Sequence, residues 1–416
     1  TISAVAVRKA PAREGTFSGT QVGGRSAVLS LNQQGVGEQR TAPDRPVIMT
    51  AEGIMASAGS AMITSTASKG EQTGLMAAPC VAPATEHWFV GVGANPSYRT
   101  ELVLTNTDAS QAEVDLRFYG RNGMVVVPGS PGLVVEGGSS RTVSLDTLVT
   151  VQGPLTVSVR ASVGRVSAVA LDRRSVDFEP TGADWQTAAV APARSVVIPG
   201  IPEGAGARTL VVANPGLSRA TVKVSVLGAD GGFAPAGAET IEVAPESTAE
   251  VSVAEGLAAA AAGIQLISDQ PVTGSVVSEA IGEDALPDIA IQTASPPIAR
   301  TGVVPLVYLA KTDAQLVLSN GGDDDVKLSF DVYGYDGVKL DTDDVLLVPH
   351  ATSTRRLDVD EAAYLVISVP RNAQVVGGVT FLASSGGIAG MASVPVLSPD
   401  VASRAPQVEF DPSVGR

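Results

Sequence analysis

Three stretches of the chain alternate apolar and polar residues with a period of two. Ala112, Val114, Leu116 and Phe118 alternate with Glu113, Asp115 and Arg117. Ala220, Val222, Val224 and Val226 alternate with Thr221, Lys223 and Ser225. Val326, Leu328, Phe330 and Val332 alternate with Lys327, Ser329 and Asp331. Such alternation turns one face of a strand to a core and the other to water, and it predicts antiparallel sheet. A strand ending in asparagine precedes each stretch, at 102–106, 210–214 and 316–320. Asn106, Asn214 and Asn320 are 108 and 106 residues apart, and each is followed fourteen residues later by a turn, at 120–123, 228–231 and 334–337. Asn122-Gly123, Asp230-Gly231 and Asp336-Gly337 are expected to supply the positive φ angles of hairpins. The three asparagines are expected to close their own backbone turns.

The pattern extends further. A strand is expected at 141–145, 249–253 and 354–359, a later one starting at Val166, Val272 and Val375, and a small-residue closing strand at 187–191, 289–294 and 390–396. About eight short strands per copy predict an all-β chain of tandem immunoglobulin-like β-sandwich domains, each about 106 residues, with little helix. The expected division is 86–196, 197–300 and 301–397 for three copies, with a tail at 398–416. Residues 1–85 read as a partial or divergent sandwich: 44–47 resemble 269–272, and 73–78 resemble the closing strands. A half sandwich leaves raw edges, which Val408-Glu409-Phe410 of the tail would cover. Helix is expected only near 254–267, which is alanine-rich, and 146–154 reads as loop.

Composition sharpens this picture. Aromatic residues are only 4% of the 416, so Val, Leu, Ile and Ala must fill the core. The net charge is −15. Residues 1–85 hold 7 basic and 5 acidic groups (+2), 86–197 hold 9 and 11 (−2), 198–300 hold 4 and 12 (−8), and 301–416 hold 8 and 15 (−7). This excludes nucleic acid, whose binding needs clustered Lys and Arg, and it points to a basic protein partner. The single cysteine, Cys80, permits no intrachain disulfide and reads as a small buried residue. The longest apolar run, 256–267, is 12 residues, too short to span a bilayer. The chain starts at Thr1, and a signal or anchor segment upstream of it is expected; any membrane contact would run through that segment.

Cys80-Val81-Ala82-Pro83 leading to Trp88-Phe89-Val90-Gly91, the strands ending in Asn, the Gly-x-Asn/Asp-Gly turns and the Pro-Val strand starts carry a resemblance. Together they resemble the actinobacterial extracytoplasmic family known as domain-of-unknown-function family 5719. The resemblance implies export or membrane tethering in a high-GC Gram-positive bacterium and carries over no catalytic residue. The third copy departs from it after Asn320, with Gly321-Gly322 where the second has Pro215-Gly216.

The residues offer little chemistry. His87 and His350 lie 263 positions apart, so with Cys80 they make no zinc set. Asp323-Asp324-Asp325 and Asp341, Asp343 and Asp344 lack the alternate spacing and bend glycine of a calcium loop. No Gly-x-Ser-x-Gly elbow occurs, and Gly91-Val92-Gly93 reads as a turn. No catalytic residue, metal or cofactor is expected. Candidate ligand or partner contacts are the aromatic side chains of Trp185, Tyr335, Trp88 and Tyr98. Tyr335 occupies a turn where the other copies have Arg121 and Ala229, and Trp185 reads as lying in a loop at 176–186. The expected function is a non-catalytic extracytoplasmic cell-envelope protein, a structural or protein-interaction scaffold. The alternative is a glycan-binding module or accessory subunit of a polysaccharide-handling membrane enzyme. A lower alternative is a retaining glycosidase pairing Asp177 or Glu179 with Asp184 at about 5 Å.

Overall fold

The computed structural model describes residues 1–7, 15–39, 45–57, 59–280, 288–306, 312–357, 362–383 and 390–399. The fold is all-β. Among the described residues no helix exceeds five residues, and strands form six sheets. The alternating stretches become Ala112–Gly120, Ala220–Gly228 and Val326–Gly334, each burying its apolar face.

The same four-strand order recurs along the chain, with a closing strand at one edge. In the first copy Ser140–Ser144, Tyr98–Thr105, Ser167–Val176 and Glu179–Thr187 lie side by side. The second has Ser247–Ser252, Arg208–Asn214, the latter half of Ala262–Ala280, and Asp288–Thr293. The third has Thr352–Leu357, Thr312–Asn320, Val375–Ala383 and Gly390–Pro395. Near the N-terminus the order is Gly35–Gln39, Ile2–Ala6, Gly59–Ala67 and Gly74–Pro79. A second set of paired strands, containing the alternating strand in each copy, shares an aliphatic core with the first; in the first and second copies the two sets are continuous as one sheet, and in the third they are separate. The 19-residue strand Ala262–Ala280 runs through both sets of the second copy.

Asn106, Asn214 and Asn320 have the same role. Each is fully buried, and its amide donates to carbonyls of the following turn and of the facing strand end (for Asn214, Ser218, Val243 and Ala244, at 2.8–3.2 Å). Each side-chain oxygen accepts the N–H two residues on, at 3.0 Å.

Several expectations are corrected. The first copy closes with Glu179–Thr187, eight residues earlier than 187–191. The hexamers 182–187 and 288–293 share Gln-Thr at the same place, and that register overrides the small-residue match. Residues 44–47 do not lead into the partner of a closing strand. Val47–Ala51 pairs with Phe17–Gln21 in a separate three-stranded sheet, while Gly59–Ala67 partners Gly74–Pro79. The N-terminal segment therefore has two sheets and its own core around Ala4, Phe17, Leu29 and Met55. The covering strand assigned to 408–410 lies outside the described residues. Helix at 254–267 shrinks to Ala254–Leu257, because Ala258 turns left-handed (φ 47°) and Ile264 and Leu266 join the core as strand. A helical turn, Leu145–Leu148, occupies part of the expected loop. Gly91 and Gly93 lie within the strand Glu86–Asn95, not in a turn. In the hairpins only Gly123, Gly231 and Gly337 take positive φ; Asn122, Asp230 and Asp336 do not. The boundary at 196/197 falls inside Ala193–Ile201, which pairs with Ala262–Ala280 of the second copy.

Candidate functional site

The four closing strands meet at one axis, each lying against the next in a cycle: 74–79, 179–187, 288–293, 390–395 and back to the first. The seams outside them close the same ring. Between first and second copies, Trp88 and Tyr119 enter the second copy's core, and Thr248 Oγ1 donates to the Tyr119 carbonyl at 2.9 Å. Between second and third, Gln265 Nε2 donates to the Gly321 carbonyl at 3.0 Å. Between third copy and N-terminal segment, Gln34 Nε2 donates to the Tyr364 hydroxyl at 3.1 Å, and Met62, Leu75 and Ala77 join the third copy's core. Between N-terminal segment and first copy, Ser167 Oγ donates to the Val81 carbonyl at 3.1 Å.

Each closing strand pairs with its own sheet on one edge only. On the other edge every second N–H faces the axis, where among the described residues no neighbouring ladder receives it. Two carboxylates do. Asp288 accepts from Leu75 N and Met391 N on Oδ2, both at 2.8 Å, from Ile289 N on Oδ1 at 2.9 Å, and from Ala183 N. Its four donors come from the four closing strands, at the same level. Two residues further along, Asp184 accepts from Trp185 N at 2.8 Å, Ala77 N at 3.2 Å and Ile291 N at 3.3 Å. Equal levels at 75, 183, 289 and 391, then at 77, 185 and 291, mean that the strands run in one direction along the axis. At the next level Thr187 and Thr293 share a hydroxyl–hydroxyl bond of 3.2 Å, and Pro79 and Pro395 have no N–H to place.

Both aspartates are fully buried. Glycine is required around Asp288: a Cβ on Gly74 would fall 2.2 Å from its Oδ1, and one on Gly182 would fall 2.7 Å from Ile289 N. Burial pushes Asp288 up to about 7, against the pull of its backbone N–H groups. Asp184 rises well above the ordinary carboxylate range, through burial first and the neighbouring Asp288 charge in addition. Asp288 was missed by the sequence reading. The signal was available in the hexamers 74–79, 182–187, 288–293 and 390–395, three of which start with glycine and one with aspartate.

The aromatic candidates are not brought together, and most are engaged. Trp185 is not in a loop. It lies in a closing strand, packed on Met76, Leu171 and Ala183. Trp88 is buried and stacked on Tyr119 with ring centroids 5.8 Å apart. Tyr98 fills the space left by Gly93, lies 4.1 Å under the Arg174 guanidinium and donates to Asp172 Oδ2 at 3.3 Å. Burial pushes Asp172 up to about 6, against the Arg174 charge and the Thr100 and Tyr98 hydroxyls. Tyr335 is 41% exposed, and its hydroxyl donates to Glu38 Oε1 at 3.3 Å across the seam with the N-terminal segment.

The glycosidase pairing fails on distance. Glu179 and Asp184 are five residues apart on one strand, roughly 16 Å at the usual rise per residue. Asp177 is further still, in the turn before Glu179. His87 is buried and bonds the Val166 carbonyl at 2.8 Å; His350 bonds Asp323 at 2.9 Å. Cys80 is exposed, not buried. Among the described residues no three His, Cys, Asp or Glu side chains are grouped to hold a metal ion. Asp343 and Asp344 pair with Arg355 and Lys327. A surface crevice of about 450 Å³ is lined by residues 120–125 and 151–153 and holds no histidine, cysteine or carboxylate.

No curated protein matches the chain. A chain in the atomic structure of Sulfolobus Turreted Icosahedral Virus is 9% identical, over 90% of this chain and 95% of that one, with a TM-score of 0.14, which carries no argument about fold. The match that identifies the chain covers residues 34–357, from the N-terminal segment through most of the third copy, and is to DUF5719. The chain belongs to this family of unknown function.

Proposed function

We propose that this chain is a non-catalytic scaffold of the actinobacterial cell envelope, built from tandem immunoglobulin-like sandwiches and acting outside the cytoplasm by binding a protein partner. The observation that carries this reading is the use made of the reactive side chains. Asp184, Asp288, Asp172 and His87, the buried groups most suited to acid–base work, are all committed to bonds within the chain. Around them is a ring whose cores run across its seams, a shape suited to presenting rigid surfaces. The acidic balance of 198–416 favours a partner with a basic face.

Crosslinking and co-purification from membranes of the source organism test the proposal. A protein recovered with the chain at low salt and lost at high salt is the expected result. Retention on purified cell wall with no protein partner would overturn it in favour of glycan binding.

A further inference from the structure

Four backbone N–H groups, one from each closing strand, converge on a single carboxylate at the axis. At that position three strands have Gly74, Gly182 and Gly390, and only the strand 288–293 has a side chain. Four inward N–H dipoles at one level make a concavity for an anion, as oriented backbone amides do elsewhere in proteins. We propose that the ring axis is a carboxylate-binding site whose ligand the chain supplies itself as Asp288, and that filling this site holds the four closing strands together. The inference rests on the axis geometry alone, not on the scaffold reading.

Asp184 has a different role. It accepts three N–H groups at 2.8–3.3 Å and faces Asp288 from one side and its cross-strand neighbour Asp172 from another. Two carboxylates sharing a buried site do not both ionise readily. At the test pH of about 8, above the value of about 7 to which burial raises it, Asp288, with the fuller set of short N–H bonds, is the anion, and Asp184 holds the proton.

The test is Asp288→Gly, which restores the residue of the other three strands and leaves the donors without an acceptor. Thermal unfolding at about pH 8 should show a Tm lowered by about 5 °C or more, since each orphaned buried donor is costly. Sodium formate should raise the variant's Tm saturably, compared with sodium chloride at equal ionic strength, and leave the native chain unmoved. An unchanged Tm in the variant, or an equal gain from formate in both proteins, overturns the proposal. If Asp288→Gly does not fold, Asp288→Asn decides. It keeps the shape but turns an NH2 toward N–H donors, so a lowered Tm upholds the site and a native Tm overturns it.

Discussion

Asn214 shows what one buried side chain does at a strand end. Its amide meets three carbonyls and one N–H, and the side chain itself is fully buried. Asn214→Ala should cost about 2–3 kcal/mol, the range for stranding buried polar groups. Chemical denaturation would show it as a lower midpoint at unchanged slope; a loss within error of zero would contradict the assigned bonds. The buried aspartates add a pH dependence. Asp172, Asp184 and Asp288 are all raised, chiefly by burial. The folded chain therefore keeps protons that the unfolded chain releases above about pH 4, and the stability they confer is complete below that pH. It is lost as pH rises through the folded values, about 6 for Asp172 and about 7 for Asp288. Tm should fall between about pH 5 and about pH 8, and Asp184→Asn, a neutral mimic of the protonated acid, should flatten the fall. A Tm that climbs over that interval would refute this assignment.

Among the elements, the hairpin joining Ser167–Val176 to Glu179–Thr187 carries a strained turn. Its two-residue turn, Asp177-Phe178, has φ of 49° and 69°, and Phe178 is 89% exposed. A left-handed phenylalanine that buries nothing is disfavoured locally. Phe178→Gly should raise stability by about 1 kcal/mol, seen as a higher Tm; a lower Tm would mean that the ring makes some contact there. This element also shows where the sequence was readable. Period-two strands and the Asn-ended strands were legible because alternation and turn chemistry are local. The closing strand of the first copy was not, because strands buried on all sides carry no alternation. Trp185 and Asp184 therefore lie in a stretch that reads as loop from its sequence, although it is strand Glu179–Thr187. Asp288 was hidden for a related reason: its partners lie 103 to 213 residues away, apart from its own neighbour.

At the scale of the whole molecule, the cores do not stop at the boundaries between copies. Trp88 and Tyr119 belong to the second copy's core, and Met62, Leu75 and Ala77 to the third's. Scanning calorimetry should therefore record one cooperative transition for the chain, where separate beads on a string would melt in stages. Deleting residues 1–79 would remove Leu75 and Ala77 from the axis and should lower that Tm sharply; an unchanged melting profile would show that the ring need not close. The Asp288 site also bears on copy number. A carboxylate offers about four lone-pair positions, and four strands each direct one amide at it. A fifth closing strand would bring a donor that this acceptor has no capacity to receive, and three would leave it under-coordinated, so the valence of one side chain matches the number of closing strands in the circle.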